Sequence, residues 1–167
     1  MPDRSIIDIA IECLLSGASE RDPEEYYHCR RVEELCALTA KEMGWQSGET
    51  GDLKLAALLH HMDRSRIPES ALAPNVAAYL HVFSERMNRH HGWGDPKNRH
   101  AEGASIMSLV DTFDRLVSHQ RYRRPLSVDD AFAILRYDSA TDFEAAAVEA
   151  LYRAHSKEVT LPERKAA

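Results

Sequence analysis

The chain predicts an all-α fold, a single helical bundle of about seven helices. Three observations carry that expectation. Nearly every segment spaces its apolar residues at helical period, no stretch alternates apolar and polar residues as a strand does, and the punctuation consists of helix caps rather than hairpin turns. A length of 167 residues suits one domain, residues 1–167, with a core of its own.

Ser5 to Leu15 predicts a short first helix, with Ile6, Ile7, Ala10 and Leu14 on one side. Asp22-Pro23-Glu24-Glu25 is a helix start: an N-cap aspartate, proline in the first turn, then acids facing the positive end of the dipole. That helix runs to Met43 and stops at Gly44, with Val32, Leu35, Leu38 and Thr39 inward. A third spans about Glu49 to Met62 through Leu53, Ala56, Ala57, Leu59 and His60. Pro68 and Pro74 bracket a turn, and Asn75 to Asn88 is helical by Val76, Tyr79, Leu80, Phe83 and Met87. Gly92 to Asn98 is the clearest loop, and Ala101 to Gln120 resumes helix. Ser127-Val128-Asp129-Asp130 and the capping box Thr141-Asp142-Phe143-Glu144 open two last helices, to about Tyr137 and Ala154; the charged tail 157–167 reads as frayed.

A net charge of −6 argues against general nucleic-acid or anionic-membrane binding. The basic clusters at Arg64–Arg66 and Arg121–Arg124 could meet a phosphate or be solvated faces. Cys13, Cys29 and Cys36 form no CxxC, and the seven-residue step from Cys29 to Cys36 keeps both on one face, as core thiols of a reduced, cytoplasmic protein. Ile6–Leu15 is apolar but broken by Asp8 and Glu12, so neither a signal peptide nor a membrane span is expected.

Chemistry concentrates in Leu58-Leu59-His60-His61-Met62-Asp63-Arg64, where an apolar run ends on two imidazoles. His28 lies on the inner stripe of its helix with 32, 35 and 39; His90 and His91 form a second doublet; Asp111 interrupts the apolar run Ile106–Leu116. Adjacent His60 and His61 differ in direction by ~100° on a helix, so both reach one centre only where the helix ends. Imidazoles and a carboxylate from separate helices make a first shell for a divalent transition metal (Zn, Fe or Mn), which activates water and polarises phosphoryl oxygens. Taken singly, each has a plainer reading: His28 a satisfied core histidine, His90-His91 surface, Asp111 a cap. His81 and His100 read as surface and Met62, Met87 and Met107 as core.

The order of these residues resembles the HD phosphohydrolase superfamily, specifically its HD-GYP branch, over about residues 26–152. His28-Cys29-Arg30-Arg31-Val32 resembles the first-ligand helix, Leu58 to Arg64 with Ile67-Pro68 the LLHDIGK…IP segment, and Ser108 to Leu116 the AVADxFDAL helix. Tyr122-Arg123-Arg124-Pro125-Leu126-Ser127, with Ala131 and Ile134-Leu135, is similar to the stretch that follows. The resemblance implies a helical bundle holding one to three metals and hydrolysing phosphodiesters, typically cyclic di-GMP. It assigns ligand roles to His28, His60 and Asp111, and later ones to His90 and His91.

This chain departs from that pattern. The aspartate of the HD pair is His61, which brings no negative charge and cannot bridge metals as a carboxylate does. The lysine is Arg64, the preceding glycine is Asp63, Gly92 stands where a glutamate is expected, and the GYP loop is absent. His119-Gln120-Arg121 replaces an Asp-Arg pair, and His60 to His90 is about a helix pair too short. The first expectation is therefore a degenerate module, non-catalytic or weakly active, that binds a small phosphorylated ligand, a protein partner or a second copy of itself. The alternative is a metal-dependent phosphohydrolase acting on a nucleotide or cyclic dinucleotide. His28, His60, His61 and Asp111 would hold its metal, Asp63 and Arg64 would act in catalysis, and Arg64 or Lys97 would contact phosphate.

Overall fold

The structure, a computed structural model, describes residues 4–61, 72–89, 98–119, 122–139 and 143–159. Among them are seven helices and no strand: α1 (Arg4–Arg21), α2 (Pro23–Glu42), α3 (Ser47–Leu59), α4 (Pro74–Arg89), α5 (Arg99–Val117), α6 (Val128–Asp138) and α7 (Ala145–Val159). The all-α expectation holds. None of these helices is long and apolar enough to cross a membrane.

Caps set most boundaries. Asp22 Oδ1 accepts from the Glu25 amide at 3.1 Å, and Pro23 opens α2 as the sequence implies. α2 closes at Met43 ahead of Gly44, whose φ of +83° suits glycine. α1 continues past the expected end at Leu15 to Arg21, leaving only Asp22 before α2; the Asp22 amide donates to Ala18 O at 2.9 Å. α3 begins early because Gln46 and Glu49 form a capping box. It also ends early, at Leu59, with His60 in the C-cap position. α5 starts at Arg99 because Asn98 Oδ1 accepts from the His100 and Ala101 amides. Ser127 caps α6 through the Asp130 amide at 3.1 Å. α7 outruns the expected end at Ala154 and reaches Val159, where Lys157 pairs with Glu42 of α2. The expected cap at Thr141 lies outside the described residues.

Two helices organise the rest. α2 packs against α1, α3, α5 and α7, while α5 packs against α2, α4, α6 and α7. α5 is buried on every side from Glu102 to Asp111, as befits the helix at the centre of the bundle. Gly103 permits its closest approach: a Cβ there would lie 2.5 Å from a ring carbon of Tyr79 on α4. Phe113 stacks on Phe132 of α6 with centroids 4.8 Å apart, a contact worth about 0.5–1.5 kcal/mol beyond area burial. Cys29, Cys36 and Met107 are core, as their spacing implies, while Cys13 is exposed. The segment after α5 folds back on it: the Leu126 amide donates to Leu116 O at 2.9 Å, and Arg123 bonds Arg115 O and Leu116 O. These bonds satisfy carbonyls that a helix end leaves open, and they give the 122–127 run a structural purpose.

Candidate metal centre

The centre forms where three elements meet. On α2, Glu25, His28 and Arg31 recur every three residues and share a face; on α5, Asp114 and Arg115 follow Asp111 at three and four residues and so lie on its side of the helix. The end of α3 enters between them with His60 and His61. α3 ends at Leu59 with His60, still in the αR conformation, at the C-cap, and the two adjacent imidazoles lie with ring centroids 4.1 Å apart.

Asp111 Oδ1 is the common point. It lies 2.9 Å from His28 Nε2, 3.5 Å from His60 Nε2 and 3.7 Å from His61 Nε2. A tetrahedral ion with bonds of about 2.0–2.1 Å would separate neighbouring ligand atoms by about 3.3 Å, so these distances bracket what such an ion requires. All four ligand atoms fall within 4.8 Å of one another, and the group could hold a metal ion.

The outer nitrogens fix the ring orientations. His28 Nδ1–H donates to Asp114 Oδ2 at 2.7 Å, and His60 Nδ1–H donates to Ala57 O at 2.5 Å. Both partners can only accept, so each Nδ1 carries the proton and each Nε2 presents a lone pair inward when neutral. Both Nε2 atoms are buried with no hydrogen-bond partner, although each lies within ion-pair distance of Asp111 Oδ1. Buried polar atoms without partners are costly. Two of them beside a carboxylate fit the donor set of a bound cation.

Asp114 is the second anchor. Arg31 Nε and a terminal guanidinium nitrogen meet its two oxygens at 2.6 and 2.9 Å, and Ser118 Oγ donates to Oδ2 at 3.2 Å. Burial works against both carboxylates' charge. His28, His60, His61 and Arg115 nevertheless hold the Asp111 carboxyl well below the usual range, and His28 and Arg31 do the same for Asp114. The imidazoles diverge. Burial opposes the charged form of His28, but Asp111 and Asp114 outweigh it and raise its pKa. Burial, reinforced by His61, lowers the pKa of His60 despite its contacts with Asp111 and Ala57.

His61 is held differently. Arg115 donates to its Nε2 at 2.6 Å and to Asp111 Oδ1 at 3.1 Å, while His61 Nδ1 lies 3.3 Å from Glu25 Oε1. Outside this cluster opens a cleft of about 410 Å³ lined by Glu25, His28, Arg31, Asp114, Arg115 and His119.

The structure thus gathers His28, His60, His61 and Asp111. Asp63, Arg64, His90, His91 and Lys97 lie outside the described residues. His81 is exposed, and His100 bonds Asn75 away from the centre. Among the described residues Asp111 caps no helix. Sequence reasoning did not single out Arg31, Asp114, Arg115 or Glu25. The available signal was a second carboxylate three residues beyond Asp111, matched by an arginine three residues beyond His28.

No family model matches the chain. It is 25% identical to a cyclic di-GMP phosphodiesterase of Thermotoga maritima across 90% of its own length and 50% of that protein's. It is also 25% identical to the cyclic di-GMP phosphodiesterase response regulator RpfG of Xanthomonas campestris pv. campestris, across 76% of its length and 42% of that protein's. The chain spans about half the length of the curated relatives it matches. The first alignment takes 183 positions to cover 90% of a 167-residue chain, so that relative carries insertions inside the shared stretch. These similarities support a relationship between this chain and the HD-type phosphohydrolases.

Proposed function

We propose that the chain is an HD-type domain that binds one divalent transition metal and hydrolyses a phosphodiester, with cyclic dinucleotides the first substrate class to test. The observation that carries this reading is the pair of buried, unpartnered Nε2 atoms on His28 and His60 aimed at Asp111. Two imidazoles and one carboxylate suit Zn²⁺, Fe²⁺ or Mn²⁺ better than the all-oxygen sites of Ca²⁺ or Mg²⁺. The relatives' names supply the substrate class. When bound, the ion would supply Lewis acidity and a water of lowered pKa.

The chain's own residues would do the rest. Asp114 and Ala57 O hold the two rings in the ligating tautomer. Arg31 and Arg115 bring positive charge to the cleft, where a phosphodiester's oxygens would lie. A second reading, a regulatory module that binds such a ligand without cleaving it, is favoured by one observation: Arg115 already occupies the Nε2 of His61, the residue that replaces the motif's aspartate.

The test is to load the purified protein with Mn²⁺, Fe²⁺ or Zn²⁺ and follow cyclic di-GMP by chromatography and calorimetry. Turnover that falls by ~100-fold or more in Asp111→Asn supports hydrolysis. Binding without turnover selects the regulatory reading, and a protein that neither binds nor cleaves the dinucleotide refutes both.

A further inference from the structure

Arg115 stands at the rim of the cluster with its side chain partly exposed. It reaches three ligand-type atoms from three different elements: His61 Nε2 at 2.6 Å, Asp111 Oδ1 at 3.1 Å and Glu25 Oε1 at 3.5 Å. An imidazole and two carboxylates are the donor set a divalent ion would take, and Asp111 Oδ1 lies within reach of both the His28–His60 pair and Arg115. We propose that Arg115 substitutes for a second metal ion and thereby restricts the centre to one ion, bound by His28, His60 and Asp111.

The geometry divides the cluster in two. On the inner side, His28 Nε2 and His60 Nε2 have no hydrogen-bond partner. On the outer side, the lone pair of His61 Nε2 is already taken by a donor. A guanidinium is a cation tethered to the chain, so unlike a free ion it cannot dissociate from the site. It is also anchored: Arg115 rides on the central helix, and its own carbonyl is bonded by Arg123. Charge supports the same assignment. Asp111 and Glu25 facing one divalent ion and one guanidinium leave a net charge of about +1, the complement of a phosphodiester monoanion.

The inference rests on the metal-binding reading above, and metal stoichiometry separates the two. Mn²⁺ titration by calorimetry, with electron paramagnetic resonance of the loaded protein, should give about one equivalent and an uncoupled signal for the wild type. Arg115→Met keeps much of the side-chain volume, frees His61, Glu25 and Asp111, and should take up a second equivalent with a spin-coupled signal. Two equivalents on the wild type, or only one on a folded Arg115→Met, overturn the role of Arg115 and leave the metal centre standing. No metal on either protein overturns both. Should Arg115→Met fail to fold, His61→Gln decides: if Arg115 keeps His61 off the inner ion, Mn²⁺ affinity changes less than ~3-fold, against ~100-fold or more for His60→Gln. Equal losses in the two variants would place His61 on the ion and refute the proposal.

Discussion

Asp114 touches no proposed metal position, yet its removal should be among the most damaging single changes near the site. The carboxylate is 2% exposed and holds the His28 ring, the Arg31 guanidinium and the Ser118 hydroxyl. Arg31 is about half exposed, so water can replace its lost partner and that part of the cost stays near the 0–1 kcal/mol of surface pairs. His28 has no such recourse. Its buried Nδ1–H would lose a charge-assisted bond worth about 1.5–3 kcal/mol. Asp114→Ala should therefore cost about 3 kcal/mol. Asp114→Asn, whose amide oxygen still accepts from Nδ1–H, should cost about half of that.

For 167 residues, an unfolding entropy of about 2.1 cal/mol/K per residue converts these costs into Tm losses of about 9 °C and 4 °C. Thermal melts by circular dichroism at pH 7 with chelator present would measure them. The sign with pH is fixed. The folded pKa of Asp114 is depressed, so its contribution is present above the unfolded value of about 3.9 and fades as pH falls through the lower folded value. Wild type and Asp114→Ala should thus converge in acid. Metal affinity should fall by ~10–100-fold in Asp114→Ala, the usual cost of losing an outer partner of a ligating histidine. A Tm within ~2 °C of wild type, together with unchanged metal affinity, would refute the claim that Asp114 orients His28.

Two further expectations test the frame around the site. Gly103→Ala would put a Cβ 2.5 and 2.7 Å from ring carbons of the fully buried Tyr79; overpacking of about 1–3 kcal/mol should exceed the helix-propensity gain of up to ~1 kcal/mol, lowering Tm by a few degrees, whereas a stabilised variant would show that α4 and α5 are not in close contact. His155 packs edge-on against Phe113 and Phe132, and burial lowers its pKa. Its neutral form therefore contributes stability that is complete above the unfolded value of about 6.5 and is lost as pH falls through the folded one. His155→Phe should flatten the decline in stability as pH falls below about 6.5, and parallel wild-type and variant curves in denaturant titrations would contradict that.

Much of the fold was legible because local chemistry dictates it. Asp22 and Ser127 cap where their side chains can reach the next turn, and Gly44 ends α2 through a backbone angle that favours glycine. The errors came where tertiary contact overrides local preference. Ser16-Gly17-Ala18-Ser19 is a poor helix former, yet α1 runs through it to meet α2. α7 extends past Ala154 because Arg153 and Lys157 find Glu42 on another helix.

The same distinction governs the site. Ligand-type residues announce themselves by being polar in apolar runs, which is how His28, His60, His61 and Asp111 stood out. What regulates them does not, because Arg115 and Glu25 are ordinary charged residues on partly exposed faces and become informative only when α2, α3 and α5 converge. The exchange of aspartate for His61 looked, in sequence, like the loss of a metal-bridging carboxylate. In three dimensions it comes paired with Arg115, which donates to the new lone pair and salt-bridges to both Asp111 and Glu25. An imidazole acceptor at 61 and a guanidinium donor at 115 are mutually consistent; aspartate in place of His61 would form a tighter ion pair with Arg115, and Arg115→Ala would leave His61 Nε2 open. The two positions therefore constitute one electrostatic unit, and substitutions at His61 and Arg115 should be non-additive in metal binding even where each alone is tolerated.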